Sequence, residues 1–573
     1  MDIFLIDAIG PFFKGYRKRR VNWSKIPFSH LSCQPDERRQ QFARIAGDLD
    51  LFCAKVSHIG YTAVSLDDVA HLAPDHWIES SVNARTALLQ QEYRLLFAIC
   101  AGHGLDIYLT MDILSQTPAL REWVGRRWDR AEELLVRQVD TVLRQFPEIS
   151  GLIVRIGECD GGDVDGDFRS ELLVRTPKQL NRLLRALLPV FERHRRMMIL
   201  RTWTVGAYPV GDFIWHERTL SRALAGIDSP FFILSMKHGE SDFFRYLPLN
   251  PQFFSYRGKK LVELQARREY EGAGEYPAFI GWEYRQFFTQ LAAAGNIAGI
   301  SVWCQTGGWL PFRRLTFLET AGLWNEINAY VILKIFRDGS TVEQAVKAYA
   351  LETDCHDPET LIELLRLSEE VIRTGLYIEE VARRQLYFRR IRIPPLLTVY
   401  WDTVFISQSL RQLLNLLCER GAESIEHSRQ AISRIERMEE IAVRLNLPAQ
   451  DLRFMADTFR LLALAREYYF LPHSEEILQR MKTAKKEYKE RYPKGLRPRY
   501  RIRTNYTPFT LRSRHLRWML GIALRSRRGY RLLDHLLILH MTTWLYRLLR
   551  WLRPGLFPKF ARKRAMGVKA VFR

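Results

Sequence analysis

Eight short apolar runs, rich in β-branched residues, recur between residues 61 and 303 and constrain the fold more than any other feature of the chain. Helical stretches separate most of them. Nearly continuous apolar strands joined by helices indicate parallel strands buried on both faces. The runs are YTAVSL (61–66), DIYLTMD (106–112), GLIVRIG (151–157), MMILRTW (197–203), FFILSMK (231–237), KLVELQA (260–266), PAFIG (around 278–281) and IAGISVW (297–303). Eight such strands in roughly 250 residues predict an α/β fold of the (β/α)8 TIM-barrel type over residues 45–315, with an open doubly wound sheet as the alternative.

The rest of the chain divides into three parts. Residues 1–44 form an N-terminal segment, whose apolar start we expect to be a packed strand or an interfacial segment. From about residue 316 the strand pattern stops and apolar residues recur at helical spacing. This spacing predicts an α-helical domain over residues 316–490. Residues 491–573 form a basic amphipathic tail.

The net charge of +22 is concentrated in that tail. Residues 491–573 hold 22 Lys and Arg but one acid, Asp534, so the first 490 residues carry a net charge of only +1. The longest tail stretch without Asp or Arg is the 12 residues 535–546, whereas a membrane-spanning helix needs about 20. Arg alternates with Leu and Trp, which predicts that residues 505–573 bind an anionic membrane surface. Packing on the protein body or on a partner, nucleic-acid binding and partial disorder are the alternatives; no nucleic-acid module is recognisable, and we expect no nucleic-acid partner.

The cysteines and the first residues indicate the compartment. The seven Cys include no C-x-x-C pair, which is typical of reduced thiols in a cytosolic protein. The start MDIFLIDAIGPFFKGYRKRR places its charges after the apolar stretch, the reverse of a secretory signal. We therefore predict no signal peptide and a cytoplasmic location, peripheral to the inner face of the cytoplasmic membrane.

Chemistry in a barrel of this type is expected at the carboxyl ends of the strands. Those ends and the segments just after them carry carboxylates, cations and indoles: Glu158, Arg201, Trp203, Lys237, Asp242, Glu269, Trp303 and Trp309. Carboxylate pairs flanking a bond are what glycoside hydrolysis needs, and indoles provide flat faces for sugar rings. The alternative is that these carboxylates pair with the cations and do no chemistry.

Several ordered motifs carry a family resemblance. The segments GLIVRIGE, MMILRTW, FFILSMKHGESDF and LVELQARREYEG occur in this order, and IGYTAVSLDDV precedes them with Asp67 and Asp68. Over roughly residues 45–350 the chain resembles the barrel of family 67 glycoside hydrolases, the α-glucuronidases, which usually have Asn-Asn where Asp67 and Asp68 stand. The resemblance implies an inverting hydrolase of uronic-acid-containing glycans.

The resemblance also implies roles for individual residues. Glu158 would be the general acid, and Asp242 and Glu269 would activate the attacking water. Arg201 and Lys237 would bind the uronic carboxylate of the substrate. The remaining expected substrate contacts are Trp203, Gln265, Glu283, Trp303 and Trp309; for Glu283, structural pairing is an equal alternative.

Other functions are less well supported by the sequence. The acidic loop after Glu158 does not fit an EF-hand, because Gly161 and Leu172 would occupy ligand positions that need acids. No zinc-binding, Walker or GxGxxG motif is present, so we expect no metal and no cofactor. The prediction is a glycoside hydrolase acting on an acidic glycan, either a cell-surface polysaccharide or a lipid-linked intermediate. A non-catalytic glycan-binding or scaffold protein and a glycosyl-transferring enzyme of surface polysaccharide biosynthesis are the alternatives, and the oligomeric state is left open.

Overall fold

The computed structural model describes most of the chain. The described residues are 1–16, 25–157, 161–162, 166–204, 206, 208–305, 314–388, 391–393, 399–400, 403–493, 501–506 and six short pieces (514–515, 517–518, 524–525, 544, 547–548, 551–552). Two predicted site residues, Glu158 and Trp309, lie outside these ranges, as does most of the basic tail.

Eight parallel strands close into a barrel, which confirms the predicted fold class. In chain order they are β1 (Ile3–Asp7), β2 (Ala63–Leu66), β3 (Asp106–Asp112), β4 (Ile149–Arg155), β5 (Met197–Arg201), β6 (Phe232–Lys237), β7 (Lys260–Gln265) and β8 (Ile297–Trp303). Each strand pairs with its neighbours in sequence, and β1 pairs with β8 to close the barrel.

One strand prediction and one boundary were wrong. The run around 278–281 is not a strand, because Pro277 has no N–H for a ladder and a helix begins at Gly281. The eighth barrel strand is instead Ile3–Asp7. A packed strand was one of the two expectations for the start of the chain, but it was placed in a separate N-terminal segment rather than in the barrel. Asp7 ends this strand, and its Oδ1 accepts hydrogen bonds from the backbone N–H groups of Cys304 (2.5 Å) and Gln305 (3.1 Å), just after β8. The barrel therefore begins at residue 3, not at residue 45.

The inside of the barrel changes from apolar to polar along the strand direction. Side chains alternate between the two faces of a strand. The lower interior layer is apolar: Leu5, Ala63, Tyr108, Ile153, Ile199, Ile233 and Leu261. Two to four residues further along the same face come the buried Asp7, Asp67, Asp112, Arg155, Arg201, Lys237, Glu263 and Gln265. The alternation of side chains that points apolar residues into the barrel thus also points charged residues into its carboxyl end.

Helices surround the barrel. They are α1 (Pro35–Ile59), α2 (Ser80–Gly102), α3 (Pro118–Val124), α4 (Trp128–Gln145), α5 (Pro177–His194), α6 (Glu217–Ala223), α7 (Gln252–Ser255), α8 (Gly281–Leu291) and α9 (Leu323–Asp338). Local signals set some of their ends: α5 begins with a capping box in which Thr176 and Gln179 satisfy each other's backbone N–H groups. The helix between β6 and β7, α7, has only four residues.

Helix α9 belongs to the barrel, although the prediction placed it in the helical domain. The Asn328 amide on α9 donates to the carbonyls of Ala266 and Ala278, and Tyr61 donates to the carbonyl of Ala329. It is the helix of the eighth βα unit, so the boundary at residue 316 falls inside that unit.

The second half of the chain is helical, as predicted. Its helices are α10 (Val342–Glu352), α11 (Pro358–Val371), α12 (Glu379–Ala382), α13 (Gln408–Leu417), α14 (Gly421–Arg444), α15 (Gln450–Phe470) and α16 (Glu475–Arg491). A π-helical turn, Ile372–Leu376, extends α11. Buried apolar side chains on α14 and α15, among them Ile435, Met438, Met455 and Phe459, form the centre of this domain.

Short strands that the sequence did not predict interrupt the helical domain. They are Gln385–Phe388, Ile391–Ile393, Val399–Tyr400 and Thr403–Ser407. Two pieces of the basic tail pair with them: Arg501–Asn505 runs parallel to Thr403–Ser407, and Leu524–Arg525 is antiparallel to Gln385–Leu386. The first part of the tail is therefore joined to the protein body. In the described part of the chain, no helix is both long and apolar enough to cross a membrane.

Candidate active site

Two carboxylates face the carboxyl ends of the neighbouring strands β6 and β7. Asp242 follows β6 by five residues and Glu269 follows β7 by four, and both side chains are buried. Asp242 forms an ion pair with Lys237, with 2.7 Å between Nζ and Oδ1, and its Oδ2 accepts a hydrogen bond from the Tyr270 hydroxyl at 2.9 Å. The first carboxylate is thus held on both oxygens.

Glu269 has a different environment from Asp242. Burial, and next the negative charge of Asp242, raise the pKa of Glu269 to about 7, although Lys237 and Arg267 act in the opposite direction. A carboxyl group that titrates near neutral pH can give or take a proton at that pH, which general acid–base catalysis needs. The sequence-predicted pair is therefore brought together, with one ion-paired member and one readily titrated member.

Lys237 is the centre of the described cation site. Its ammonium group lies 4.3 Å from the centroid of the Trp203 ring and 4.7 Å from that of Phe243, in addition to its ion pair with Asp242. Aromatic faces attract a desolvated cation through their quadrupole. The predicted residues Trp203, Lys237 and Asp242 therefore form one contact group.

Arg201 is engaged by a carboxylate that the sequence reasoning did not assign to the site. Its Nε and Nη2 atoms donate to Oε1 and Oε2 of Glu263 at 2.9 and 2.6 Å, inside the barrel. Ser235 donates to the same carboxylate at 2.7 Å. Burial alone would raise the pKa of Glu263, but Arg201 holds it below its ordinary value. Glu263 thus occupies the Nε–Nη2 edge of Arg201.

The other predicted substrate contacts in the described residues are Trp303 and Gln265, which end strands, and Glu283, which lies on α8. Trp303 ends β8 and its ring lies 4.4 Å from the guanidinium carbon of Arg201. Gln265 ends β7 and its Oε1 accepts the backbone N–H of Glu269 at 3.2 Å, so it orients that residue. Glu283 lies in the first turn of α8, where its Oε2 accepts from Arg245 at 3.4 Å. Its described contact is the structural pairing that the sequence left as an alternative.

The opposite side of the rim holds a second charged cluster. Lys25 forms ion pairs with Asp112 (2.7 Å) and Asp68 (3.5 Å), and Arg155 pairs with Asp112 at 2.7 Å. His71 contacts Asp68 at 2.6 Å. Burial would raise the pKa of Asp68, but His71 and Lys25 hold it well below its usual value. Asp67 accepts the backbone N–H of Ile26 at 2.7 Å, so this cluster fixes the segment after residue 24 to the rim.

The sequence reasoning missed Glu263, Asp112, Arg155 and Lys25. A signal for the first three was present, because each lies on the same strand face as the apolar interior residues below it. Lys25 has no such signal, because it precedes α1 and reaches the rim through the path of the loop. Within the described residues, no group of three His, Cys, Asp or Glu side chains is arranged to hold a metal ion.

The described residues thus form a closed eight-stranded parallel barrel with a carboxylate pair at adjacent strand ends, near Trp203 and Trp303. The comparison with solved structures agrees at the level of the fold. A GH138 enzyme targeting pectin rhamnogalacturonan II matches with a TM-score of 0.50 and 9% identity, over 85% of this chain and 62% of that one. This chain therefore spans less than two thirds of that enzyme's length.

Two further structures match with lower scores. CpGH84B has a TM-score of 0.38 and 10% identity, over 77% of this chain and 69% of that one. A Thermobaculum terrenum O-GlcNAc hydrolase has a TM-score of 0.37 and 11% identity, over 78% and 85%. No family model matches the sequence, and no curated protein matches it. None of these three structures is described as a family 67 enzyme.

Proposed function

We propose that this protein is a glycoside hydrolase in which Asp242 and Glu269 act on the attacking water. The observation that carries the proposal is the difference within this pair: Asp242 is ion-paired to Lys237, whereas the pKa of Glu269 is raised to about 7 by burial and by Asp242. A carboxylate whose pKa lies near the working pH is an effective base, because it is both available and sufficiently basic.

The reaction follows from these positions. As the water oxygen attacks the anomeric carbon, the carboxylate pair takes one of its protons, and the bond from that carbon to the leaving oxygen breaks. The leaving oxygen takes a proton from a general acid, which the family resemblance assigns to Glu158. Attack opposite the leaving group inverts the configuration, and an inverting enzyme keeps acid and base roughly 6.5–9.5 Å apart to admit the water.

The narrower proposal concerns the substrate, which we infer to be a glycan containing a uronic acid. Its support is the family 67 resemblance together with Lys237, a buried cation between two aromatic rings next to the carboxylate pair. Arg201 lies beside Trp303 and is paired with Glu263 through one edge of its guanidinium group. A uronic carboxylate would therefore meet the ammonium group of Lys237 first.

A panel of uronosides and neutral glycosides tests both proposals. We expect turnover of a uronoside with inversion, read from the anomeric proton signals of the first product. Glu269→Gln and Asp242→Asn should each reduce kcat by about 10²- to 10⁴-fold, whereas Glu122→Gln, an exposed position on α3, should not.

The failure of each proposal would look different. Turnover of neutral glycosides alone would contradict the uronic acid. Turnover that survives both Glu269→Gln and Asp242→Asn would contradict the role of this pair in activating water, and the absence of turnover with every glycoside would contradict the hydrolase assignment. Glycan binding without turnover, unchanged in the two variants, would support a glycan-binding protein instead, and transfer products from an activated donor would support a transferase.

We also propose that the end of the tail attaches the protein to an anionic membrane surface at the cytoplasmic side. Residues 527–573 carry 12 Lys and Arg and one acid. The described tryptophans of this segment, Trp544 and Trp551, have 64% and 78% of their surfaces exposed. Basic chains with exposed indoles bind the interface of anionic bilayers.

Co-sedimentation with vesicles tests the attachment. The full chain should bind vesicles with 30% phosphatidylserine and release them as salt is raised, and truncation after residue 526 should abolish binding. Equal binding to phosphatidylcholine vesicles, or binding retained by the truncated chain, would contradict the proposal.

A further inference from the structure

Two buried arginines join the loops that carry Asp242 and Glu269, and each donates hydrogen bonds from its own loop to the other loop. Arg245, three residues after Asp242, donates from Nε and Nη2 to Oε1 and Oε2 of Glu271, at 2.7 and 3.2 Å. Arg268, next to Glu269, donates back to the carbonyl of Phe243 at 2.9 Å. We call these four residues, Phe243, Arg245, Arg268 and Glu271, the loop strap.

The hydrogen bonds of the loop strap form a closed network, and its charged side chains are buried. Arg268 also donates to Oε1 of Glu271, at 3.1 Å from Nη2, so one carboxylate receives both arginines. Arg245 and Glu271 have no exposed surface, and Arg268 has 2%. Burial alone would raise the pKa of Glu271, but the two guanidinium groups hold it below its ordinary value.

The helical domain holds the loop strap from outside. Glu369 on α11 accepts the backbone N–H groups of Trp282 and Glu283, at 3.2 and 3.1 Å, and so caps the start of α8. The same carboxylate lies 3.8 Å from Nη1 of Arg245. Glu369 therefore joins α11, α8 and the loop strap.

A second contact comes from the turn after α11. Tyr377 donates to Oε1 of Glu271 at 3.5 Å, and Tyr246 on the Asp242 loop donates to the carbonyl of Arg373 at 3.0 Å. Tyr246 has a φ of +64°, a left-handed conformation that is costly for a bulky residue and needs such anchoring. Residues from three segments far apart in sequence thus fix the geometry of the two loops.

We propose that Arg245 and Glu271 are positioning residues that set the separation of Asp242 and Glu269, and that the helical domain is therefore a functional part of the active site. The inference rests on the proposed function for its consequence in turnover, but not for its structural content. Neither residue is required to touch substrate; both act through the loops that carry the carboxylates. The physical reason is that a bidentate guanidinium–carboxylate pair fixes both distance and orientation, which a single contact does not.

The first experiment needs no substrate. The titration of Glu269 is followed by infrared spectroscopy, with the Glu269→Gln spectrum subtracted to isolate its band. The charged and polar groups that face Glu269 among the described residues are Asp242, Lys237, Arg267 and Gln265. Arg245→Met should let the loops separate and water enter, and should move the midpoint of Glu269 at least one pH unit toward that of an ordinary glutamate.

The matched control is Arg137→Met. Arg137 on α4 pairs with the buried Asp75 at 2.8 Å on the other side of the barrel, so the variant also loses a guanidinium–carboxylate pair. It should lower the stability of the protein without moving the Glu269 midpoint. An unchanged midpoint in folded Arg245→Met, or an equal shift in Arg137→Met, would overturn the proposal.

The second experiment uses the glycoside that the wild type hydrolyses. A misplacement of about 1 Å can cost about 100-fold, so Arg245→Met and Glu271→Gln should lose about that factor in kcat while KM changes less than about threefold. Arg245→Lys, which keeps the charge but not the fork, should be intermediate. If circular dichroism shows that Arg245→Met does not fold, Arg245→Lys and Glu271→Gln decide by the same midpoint.

The two proposals fail separately. A shifted midpoint in Arg245→Met with no glycoside turned over by the wild type would keep the positioning role and remove the hydrolase. Turnover in the wild type with unchanged kcat and midpoint in all three variants would keep the hydrolase and remove the positioning role.

Discussion

Asp242 and Glu269 show how neighbouring side chains of one chemical type acquire different properties. Asp242 has an ammonium group at 2.7 Å and a phenol hydroxyl at 2.9 Å. Glu269 is equally buried but has Asp242 itself as a close charge, and the pKa of Glu269 rises to about 7. Lys237 forms an ion pair with Asp242. Its positive charge does not offset the effects of burial and of Asp242 on Glu269, so the two carboxylates acquire different properties.

The raised pKa of Glu269 makes the protein less stable at higher pH. Between about pH 4.5 and about pH 7 the folded state keeps a proton that the unfolded chain has released, so the free energy of unfolding falls as the pH rises through this window. Glu269→Gln removes this dependence. Relative to the wild type, we expect the variant to gain on the order of 1–3 kcal/mol between pH 4 and pH 8, measured by urea unfolding.

The control for this measurement is Glu122→Gln, an exposed carboxylate on α3. Its stability should follow the wild type across the same pH range. A Glu269→Gln variant that also runs parallel to the wild type would show that Glu269 has an ordinary proton affinity in the folded state.

At the scale of residues, the sequence predicted which side chains lie together for only part of the site. The predicted Asp242, Glu269, Lys237 and Trp203 lie together because strand ends meet at one rim. The partner of Arg201 could not be predicted in the same way. Glu263 lies on β7, two strands from Arg201 on β5, and pairs with it inside the barrel. Which carboxylate a buried guanidinium pairs with depends on distances that a periodic sequence pattern does not contain.

At the scale of elements, the closure of the barrel depends on a close approach of β1 and β8. Gly299 on β8 lies against Ile3 on β1, and a Cβ atom at residue 299 would overlap the carbonyl oxygen of Ile3. Gly299→Ala should therefore lower stability by about 3 kcal/mol or prevent folding, because neither backbone can move without breaking the ladder. Thermal unfolding or soluble yield measures the effect.

Gly47→Ala is the corresponding control. Gly47 is exposed on α1, and nothing lies within 4 Å of the position that a Cβ would take. This substitution should stabilise the helix by up to about 1 kcal/mol. If Gly299→Ala unfolds like Gly47→Ala, the two strands are not in close contact at this position.

The strand errors have a physical explanation at the same scale. The runs IFLID and PAFIG are both five residues long and largely apolar, so composition does not separate them. The difference is in their partners: Ile3–Asp7 finds β8 and β2 on its two sides, while 277–281 packs under Asn328 and Ser368 as a loop. Contacts between distant segments decided which run became the strand.

At the scale of the whole molecule, the first described part of the basic tail is a strand of the protein body. Arg501–Asn505 pairs along its length with Thr403–Ser407, Ile502 is buried, and Lys485 donates to Thr504 at 2.7 Å. Truncation after residue 493 should therefore lower Tm by at least about 3 °C, whereas truncation after residue 526 should leave Tm within about 1 °C of the full chain. Scanning calorimetry measures both, and equal values for the two truncations would contradict the distinction.

The charge count predicted the bounds of the tail but could not show this strand pairing. Arg501 and Arg503 contribute to the same basic composition as the residues that follow them. Their strand is recognisable only from its parallel partner, which lies about 100 residues earlier in the chain. Composition gives the residue types of a segment, whereas only strand pairing shows which part of the protein the segment contacts.

The pairing of Ile3 with Gly299 also sets a schedule for biosynthesis. The first strand leaves the ribosome 296 positions before the strand that closes the barrel against it. At translation rates of about 5–20 residues per second this interval is roughly 15–60 s. During that time the edge of IFLID has no partner on the β8 side, so we expect the nascent chain to depend on chaperones most strongly until residue 303 has emerged.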